Sequence, residues 1–185
     1  MSRCFIALSC FSLLMVALPV AAQAPLKSGL QTGEKIETIF EPLNVNGEHA
    51  GEPHCLVCEN GLNPVAMIFA REVSEPLVKM IAQLDAQAAK NSKFDMGCFV
   101  VFLGDPETLK PKLAEVAKKQ QLKHVILAID APAGPDGFNV SKDADVTVVL
   151  YERHKVEANH AFAKDKLTEK SVAAVLADLP KILKK

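Results

Sequence analysis

Two cysteines separated by two residues, Cys55 and Cys58, form the part of this sequence best suited to chemistry. Such a pair can cycle between a dithiol and a disulfide, stay an inert disulfide, or supply two thiolates to a metal. A disulfide across so short a loop gains little stability from loop closure, which favours reversible redox chemistry over a purely structural bridge. Haem attachment is excluded because Glu59, not histidine, follows the second cysteine.

Three other residues are candidates for the same site. His54 adjoins Cys55 and in its charged form would lower a thiol pKa, so Cys55 is predicted to be the attacking cysteine. Cys98 and His124 each begin a predicted strand, and parallel strands all enter a sheet at one edge. A cluster of Cys55, Cys58, Cys98 and His124 would suit zinc, or copper, as an alternative to a site without a cofactor. In the simpler interpretation, Cys98 is a small buried residue and His124 only ends a strand.

The elements that must position these residues follow from hydrophobic periodicity and from helix-capping residues. Apolar runs predict three buried strands, each of the first two followed by an amphipathic helix. A tight polar turn at 152–155 then joins two strands into an antiparallel hairpin, and a last helix follows. Two short strands are also predicted as an N-terminal hairpin. The predicted strands are 35–41, 43–45, 64–70, 98–103, 124–129, 146–151 and 156–160, and the helices are 74–91, 105–121 and 168–179.

This order of elements resembles the thioredoxin-like superfamily, and its N-terminal hairpin and extra strand at 124–129 resemble the redoxin (peroxiredoxin-like) branch. The resemblance covers roughly residues 33–179 and implies an α/β fold, with a three-layer α/β/α arrangement around a mixed central sheet. It also implies thiol–disulfide exchange with protein thiols and disulfides as partners.

The sequence departs from that family where the family is reactive. Thioredoxins carry their Cys-x-x-Cys after the first core strand, at the start of a helix, whereas here the pair precedes the strand at 64–70. The usual position holds residues 71–75, which include no thiol, so peroxidase activity is not expected. Ala144-Asp145-Val146 replaces the family's proline before the hairpin. The seven residues of the strand at 64–70 place the usual site about 20 Å from Asn63, so Cys55 and Cys58 are predicted at the opposite edge of the sheet.

The N-terminal residues have the pattern of a secretory signal peptide. A basic residue, Arg3, precedes an apolar run and a small-residue cleavage site, which predicts a signal peptide at 1–22 and a mature start at Gln23. A flexible linker at 23–34, a thioredoxin-like domain at 35–180 and a basic tail at 181–185 are predicted to follow. No later stretch is long and apolar enough for a bilayer, so a periplasmic or extracellular protein without a membrane partner is expected.

The net charge of the mature chain bears on its partners. Cleavage removes one basic residue, Arg3, from 21 basic and 22 acidic residues, which leaves a net charge of −2. Without a basic stripe, nucleic acid is not expected as a partner. The sequence thus predicts an exported thioredoxin-like protein that exchanges disulfides through Cys55 and Cys58. A non-catalytic binding domain of the same fold and a metal-binding protein are the alternatives.

Overall fold

The computed structural model describes residues 26–184, so the predicted signal peptide lies outside the described residues. Four helices and six strands form the domain, together with two short 3-10 turns at Ser92–Phe94 and Leu179–Lys181. Among the described residues, no helix is long and apolar enough to cross a membrane. In chain order the elements are β1 (Leu43–Asn44), α1 (Leu56–Asn60), β2 (Val65–Ala70), α2 (Glu75–Lys90), β3 (Gly97–Leu103), α3 (Pro106–Gln120), β4 (Val125–Asp130), β5 (Val146–Glu152), β6 (Lys155–Phe162) and α4 (Glu169–Asp178).

The six strands form one mixed sheet in the order β1-β4-β3-β2-β5-β6. β2, β3 and β4 are parallel, as helical crossovers require, and β5 runs antiparallel to both β2 and β6. All six residues of β2 are buried, because this strand has a neighbour on each side and packing on both faces. The predicted mixed α/β sheet is therefore confirmed.

The two faces of the sheet are covered differently. Alternate strand residues, such as Ala66, Ile68 and Val100, pack on one face against α2, α3 and α4. The intervening residues, such as Met67 and Phe69, pack on the other face. There α1 is the one helix that contributes to the core, and irregular segments around Leu30, Ile36 and Phe138 complete the cover. The second outer layer of the predicted α/β/α arrangement is thus mostly non-helical.

The predicted N-terminal hairpin does not form. Residues 35–41 contain one bridging residue, Lys35, which pairs with Lys155 at the turn between β5 and β6. The backbone of Ile36 donates to the carbonyl of His154 (2.8 Å), so this segment is bonded to that turn rather than to 43–45. Two residues remain as β1, which pairs antiparallel with β4.

Both predicted flanking segments pack into the domain where the structure describes them. The hydroxyl of Ser28, inside the predicted linker, lies 2.6 Å from the Thr147 hydroxyl, and Asn159 Nδ2 donates to the Ser28 and Leu30 carbonyls. The predicted basic tail contains Ile182, which is fully buried in the core formed with α2 and α4. The domain therefore extends at both ends beyond the predicted limits of 35 and 180.

Helices α2 and α3 begin directly after Ser74 and Asp105, the first residues of the predicted helices 74–91 and 105–121. Asp105 Oδ2 accepts from the backbone N–H of Thr108 (3.0 Å) at the start of α3, with Pro106 in the first turn. Pro111 lies inside α3 without ending it. Ser74 begins α2 without a side-chain hydrogen bond, next to Glu75 and Pro76.

Replacing Phe69 with alanine tests the β2 assignment. Phe69 is 1% exposed and contacts the rings of Phe40 and Phe138, so Phe69→Ala should lower the free energy of unfolding by about 3–5 kcal/mol. Chemical denaturation measures the change. Ile39→Ala is the control, because Ile39 is 65% exposed and its truncation should change stability by less than about 0.5 kcal/mol. Equal stability of the two variants would contradict the assignment.

Candidate active site

A disulfide joins Cys55 to Cys58 on the short helix α1. The two Cα atoms lie 5.3 Å apart, and Cys55 is the N-cap residue, whose Sγ accepts a hydrogen bond from the Cys58 backbone N–H (3.1 Å). Gly61 ends the helix with φ +51°, a conformation that favours glycine. The sequence does not predict α1, because five residues are too few to show helical periodicity.

Packing holds α1 against the sheet and makes the two cysteines unequal. Leu56 and Val57, between them, are 1% and 2% exposed and belong to the core that includes Met67 and Phe69. Cys55 is 8% exposed in that same core, whereas Cys58 is exposed. An approaching thiol therefore meets Cys58 first. The sequence predicts Cys55 as the attacking cysteine because His54 is beside it, whereas this difference in exposure favours Cys58.

Two histidines and a glutamate surround the disulfide. The Nε2 atom of His54 lies 3.1 Å from Glu59 Oε2, and the His54 ring stacks on the His49 ring with centroids 3.6 Å apart. His54 directly precedes Cys55, and Glu59 directly follows Cys58, so the contact spans the cysteine pair from outside. Adjacency in sequence predicts that His54 lies beside the pair. The sequence does not predict that Glu59 and His49 contact His54, since these contacts depend on the turn of α1 and on the loop before it.

Cys98 and His124 reach the same edge of the sheet as α1 without joining the disulfide. Both residues line a cleft of about 260 Å³ that Glu59 and Asn60 of α1 also line. The Cys98 side chain, however, packs on the face with α2, and Cys55 packs on the opposite face. The sulfurs of Cys98 and Cys55 thus lie on opposite faces of the sheet, which disfavours direct exchange between them.

The predicted metal set of Cys55, Cys58, Cys98 and His124 is not assembled. Two of its thiols are joined to each other, the third faces the other side of the sheet, and His124 is exposed. Across residues 26–184 no three His, Cys, Asp or Glu side chains are grouped to hold a metal ion. The opposite orientation of alternate strand residues is the reason that neighbouring strand starts do not bring these side chains together.

Cys98 is a free and buried thiol. Burial, and next the nearby Asp85 carboxylate, raise the pKa of Cys98 well above its ordinary value. Asp85 itself accepts the backbone N–H groups of Lys123, His124 and Val125 at 3.0, 2.7 and 2.9 Å, which fixes the start of β4 beside Cys98. Cys98 therefore serves as a small apolar core residue.

The opposite edge of the sheet, where thioredoxins have their cysteines, is occupied by an arginine anchor. The Arg71 guanidinium donates to the carbonyls of Pro132, Ala144 and Ser141 at 2.8, 3.1 and 3.2 Å. Glu72 and Lys164 form an ion pair beside it (2.8 Å). Burial, and next Glu72, raise the pKa of Asp145. These contacts tie the loop before β5 to the end of β2, and no thiol lies among residues 71–75.

The fold is similar to that of solved thioredoxin-like proteins. The chain superimposes on a Chlorobium tepidum protein assigned as the thiol:disulfide interchange protein DsbE with a TM-score of 0.58 and 17% identity, over 84% of this chain and 99% of that one. A Bacteroides thetaiotaomicron protein assigned as a protein disulfide isomerase gives 0.63 and 17%, over 86% and 96%. The peroxidoxin BcpB of Mycobacterium tuberculosis gives 0.54 and 18%, over 80% and 97%.

These similarities establish the fold. No protein-family model matches the chain, and no curated protein matches it. The predicted thioredoxin-like fold with redoxin-type neighbours is confirmed by the structural matches.

Alkylation with iodoacetamide tests whether Cys58 and Cys98 differ in reactivity. After reduction of the native protein at pH 8, Cys58 should be modified rapidly, and Cys98 at least about a hundredfold more slowly, because burial keeps the Cys98 thiol protonated and inaccessible. Peptide mass spectrometry over a time course measures both rates. Unfolding in guanidinium is the control and should equalise them. Equal rates in the native protein would contradict the burial of Cys98.

Proposed function

We propose that this protein is an exported thiol–disulfide exchange protein whose Cys55–Cys58 disulfide reacts with thiols and disulfides of other proteins. The observation that carries the proposal is the exposure of Cys58 in a disulfide that closes only a four-residue loop. Such a bridge contributes little stability through chain entropy, and its exposed sulfur is open to attack. The thioredoxin-like fold supports the proposal, because structural neighbours carry thiol:disulfide interchange names.

The exchange proceeds through a mixed disulfide on Cys58. A partner thiolate attacks Cys58 Sγ, a bond forms between the two sulfurs, and the Cys55–Cys58 bond breaks with its electron pair on Cys55. A second partner thiolate then attacks the partner sulfur of the mixed disulfide and releases Cys58 as a thiolate. The partner dithiol is thereby oxidised, and the Cys55–Cys58 disulfide is reduced. In the reverse direction, Cys58 attacks a partner disulfide and Cys55 resolves the intermediate.

The position of Cys55 suits the role of leaving and resolving group. Its Sγ already accepts the Cys58 N–H at 3.1 Å, a bond that strengthens when the sulfur becomes anionic. Its burial keeps outside thiols away, so the mixed disulfide forms on Cys58 alone. Anchoring of Leu56 and Val57 in the core keeps the reduced pair close together, which favours intramolecular resolution.

A non-catalytic binding domain is the second candidate. The observation that favours it is the Arg71 anchor, which stands without a neighbouring thiol at the edge of the sheet where thioredoxins react. In that case the Cys55–Cys58 disulfide would only brace α1. The two candidates differ in whether the disulfide can be reduced and reformed by thiols while the fold stays intact.

Cysteine variants test the exchange and the assignment of roles. Cys58→Ser should slow reduction of insulin disulfides more than about tenfold, because the remaining Cys55 is buried. Cys55→Ser should also lose turnover but should accumulate a mixed disulfide on Cys58 with oxidised glutathione, which mass spectrometry detects.

Cys98→Ser is the matched control and should retain wild-type activity, since Cys98 lies across the sheet from the pair. Full activity in Cys58→Ser would exclude the pair as the site. An inactive wild-type protein whose disulfide resists thiols would support the binding domain instead. A mixed disulfide that accumulates in Cys58→Ser rather than in Cys55→Ser would reverse the two roles.

Export is tested by the N-terminus of the recovered protein. The leader pattern around Arg3 and Ala22 predicts that protein from the cell exterior or periplasm begins at Gln23, with Pro25 as the second choice. Intact mass spectrometry of that fraction measures the start. The control is a variant with arginine in the apolar run, Leu13→Arg, which should block processing and keep Met1. An unprocessed N-terminus on wild-type protein from that fraction would contradict export with cleavage.

A further inference from the structure

The contact between His54 and Glu59 closes the same loop as the disulfide. The disulfide joins residues 55 and 58, and the side-chain contact of 3.1 Å joins the residues immediately outside them. The Glu59 backbone N–H also donates to the Cys55 carbonyl (3.0 Å) within the same turn. Two closures, one covalent and one between the His54 and Glu59 side chains, thus surround one turn of chain.

The surroundings direct the His54 ring toward this contact. Its Nε2 atom is buried and has no well-aligned hydrogen-bond partner among residues 26–184, and Glu59 Oε2 lies beside it. The stacked His49 ring fixes the other side of the imidazole, and the His54 backbone N–H donates to the Pro42 carbonyl (3.1 Å). Glu59 is therefore the acceptor placed to pair with a protonated His54.

We propose that the His54–Glu59 pair is a pH-dependent clasp that keeps Cys55 and Cys58 together when their disulfide opens. The inference rests on the proposed exchange function and assigns it two positioning residues. When the disulfide is reduced, the clasp still limits the separation of the two thiols. It therefore raises their effective concentration toward each other and favours the disulfide. Disulfide and clasp stabilise each other because both close the same loop.

The clasp acts where both partners carry charge. A protonated imidazole is attracted to a carboxylate and a neutral one is not, so the attraction strengthens as pH falls and weakens as pH rises. The titratable groups that face His54 are Glu59 of α1 and His49 of the preceding loop. Across the cleft from Glu59 lie Lys123 and His124, before β4. Oxidised protein should thus resist reduction more strongly at pH 5.5 than the same protein without the clasp.

Redox equilibration with glutathione at pH 5.5 and 8.5 tests the clasp. Wild-type protein, Glu59→Gln, His54→Gln and the double variant are held in buffers of defined reduced-to-oxidised glutathione ratio, and alkylation with mass spectrometry gives the fraction of Cys55–Cys58 disulfide. At pH 5.5 each single variant should lower the equilibrium constant for disulfide formation by roughly two- to fivefold, the range of partly exposed ion pairs. The double variant should lose no more than either single variant. At pH 8.5 the equilibrium constants of the variants should approach that of the wild-type protein.

Glu115→Gln is the matched control, because Glu115 forms an exposed ion pair with Lys119 on α3 (2.7 Å) away from the disulfide. It should leave the constant unchanged. Opposite effects of Glu59→Gln and His54→Gln would show that His54 acts on the thiolates through its charge, and would overturn the clasp. Unchanged constants in both variants would also overturn it while leaving the exchange function intact. A wild-type disulfide that no glutathione ratio reduces would overturn both proposals.

Discussion

The complete burial of β2 is the constraint on which the rest of this structure depends. The strand lies between β3 and β5 and packs core residues on both faces, so its direction and both of its ends are fixed. Val65, at its start, pairs with Gly97 and Tyr151, and Ala70, at its end, pairs with Phe102 and Val146. Whatever the chain places immediately before or after this strand is therefore held at a defined edge of the sheet.

The two edges hold different groups. Before β2, α1 carries the disulfide, and Gly97 of β3 lets it approach, since a Cβ there would overlap the Asn60 side chain. After β2, the Arg71 guanidinium donates hydrogen bonds to three carbonyls of the loop before β5 and thereby holds that loop against the end of β2. Within residues 26–184 the sheet has one disulfide, and it lies at the edge opposite the usual site of thioredoxins.

The alternation of strand side chains decides which thiols can react with each other. Cys98 begins β3 close to α1, but its side chain enters the core beneath α2, where burial raises its pKa. Cys55 enters the core on the other face. The sheet itself therefore separates the buried Cys98 thiol from the Cys55–Cys58 disulfide.

Hydrophobic periodicity in the sequence determined most of the sheet. The buried runs and the caps at Ser74 and Asp105 predict β2 to β6 and the long helices, because those features are local and repeat at the period of each element. The edge that carries Cys55 and Cys58 also follows from sequence, since the pair precedes a strand whose length sets the distance to the other end. The prediction of an N-terminal hairpin was wrong. The Ile36 backbone N–H donates to the carbonyl of the distant His154, and a contact between distant residues leaves no pattern in the local sequence.

Only the tertiary structure decided how the site is built. Two features depended on contacts between segments far apart in sequence: the burial of Cys55 against the exposure of Cys58, and the opposite face taken by Cys98. Local propensity determines the strands and helices, whereas the packing of their faces against each other determines which cysteine side chains are buried and which are exposed.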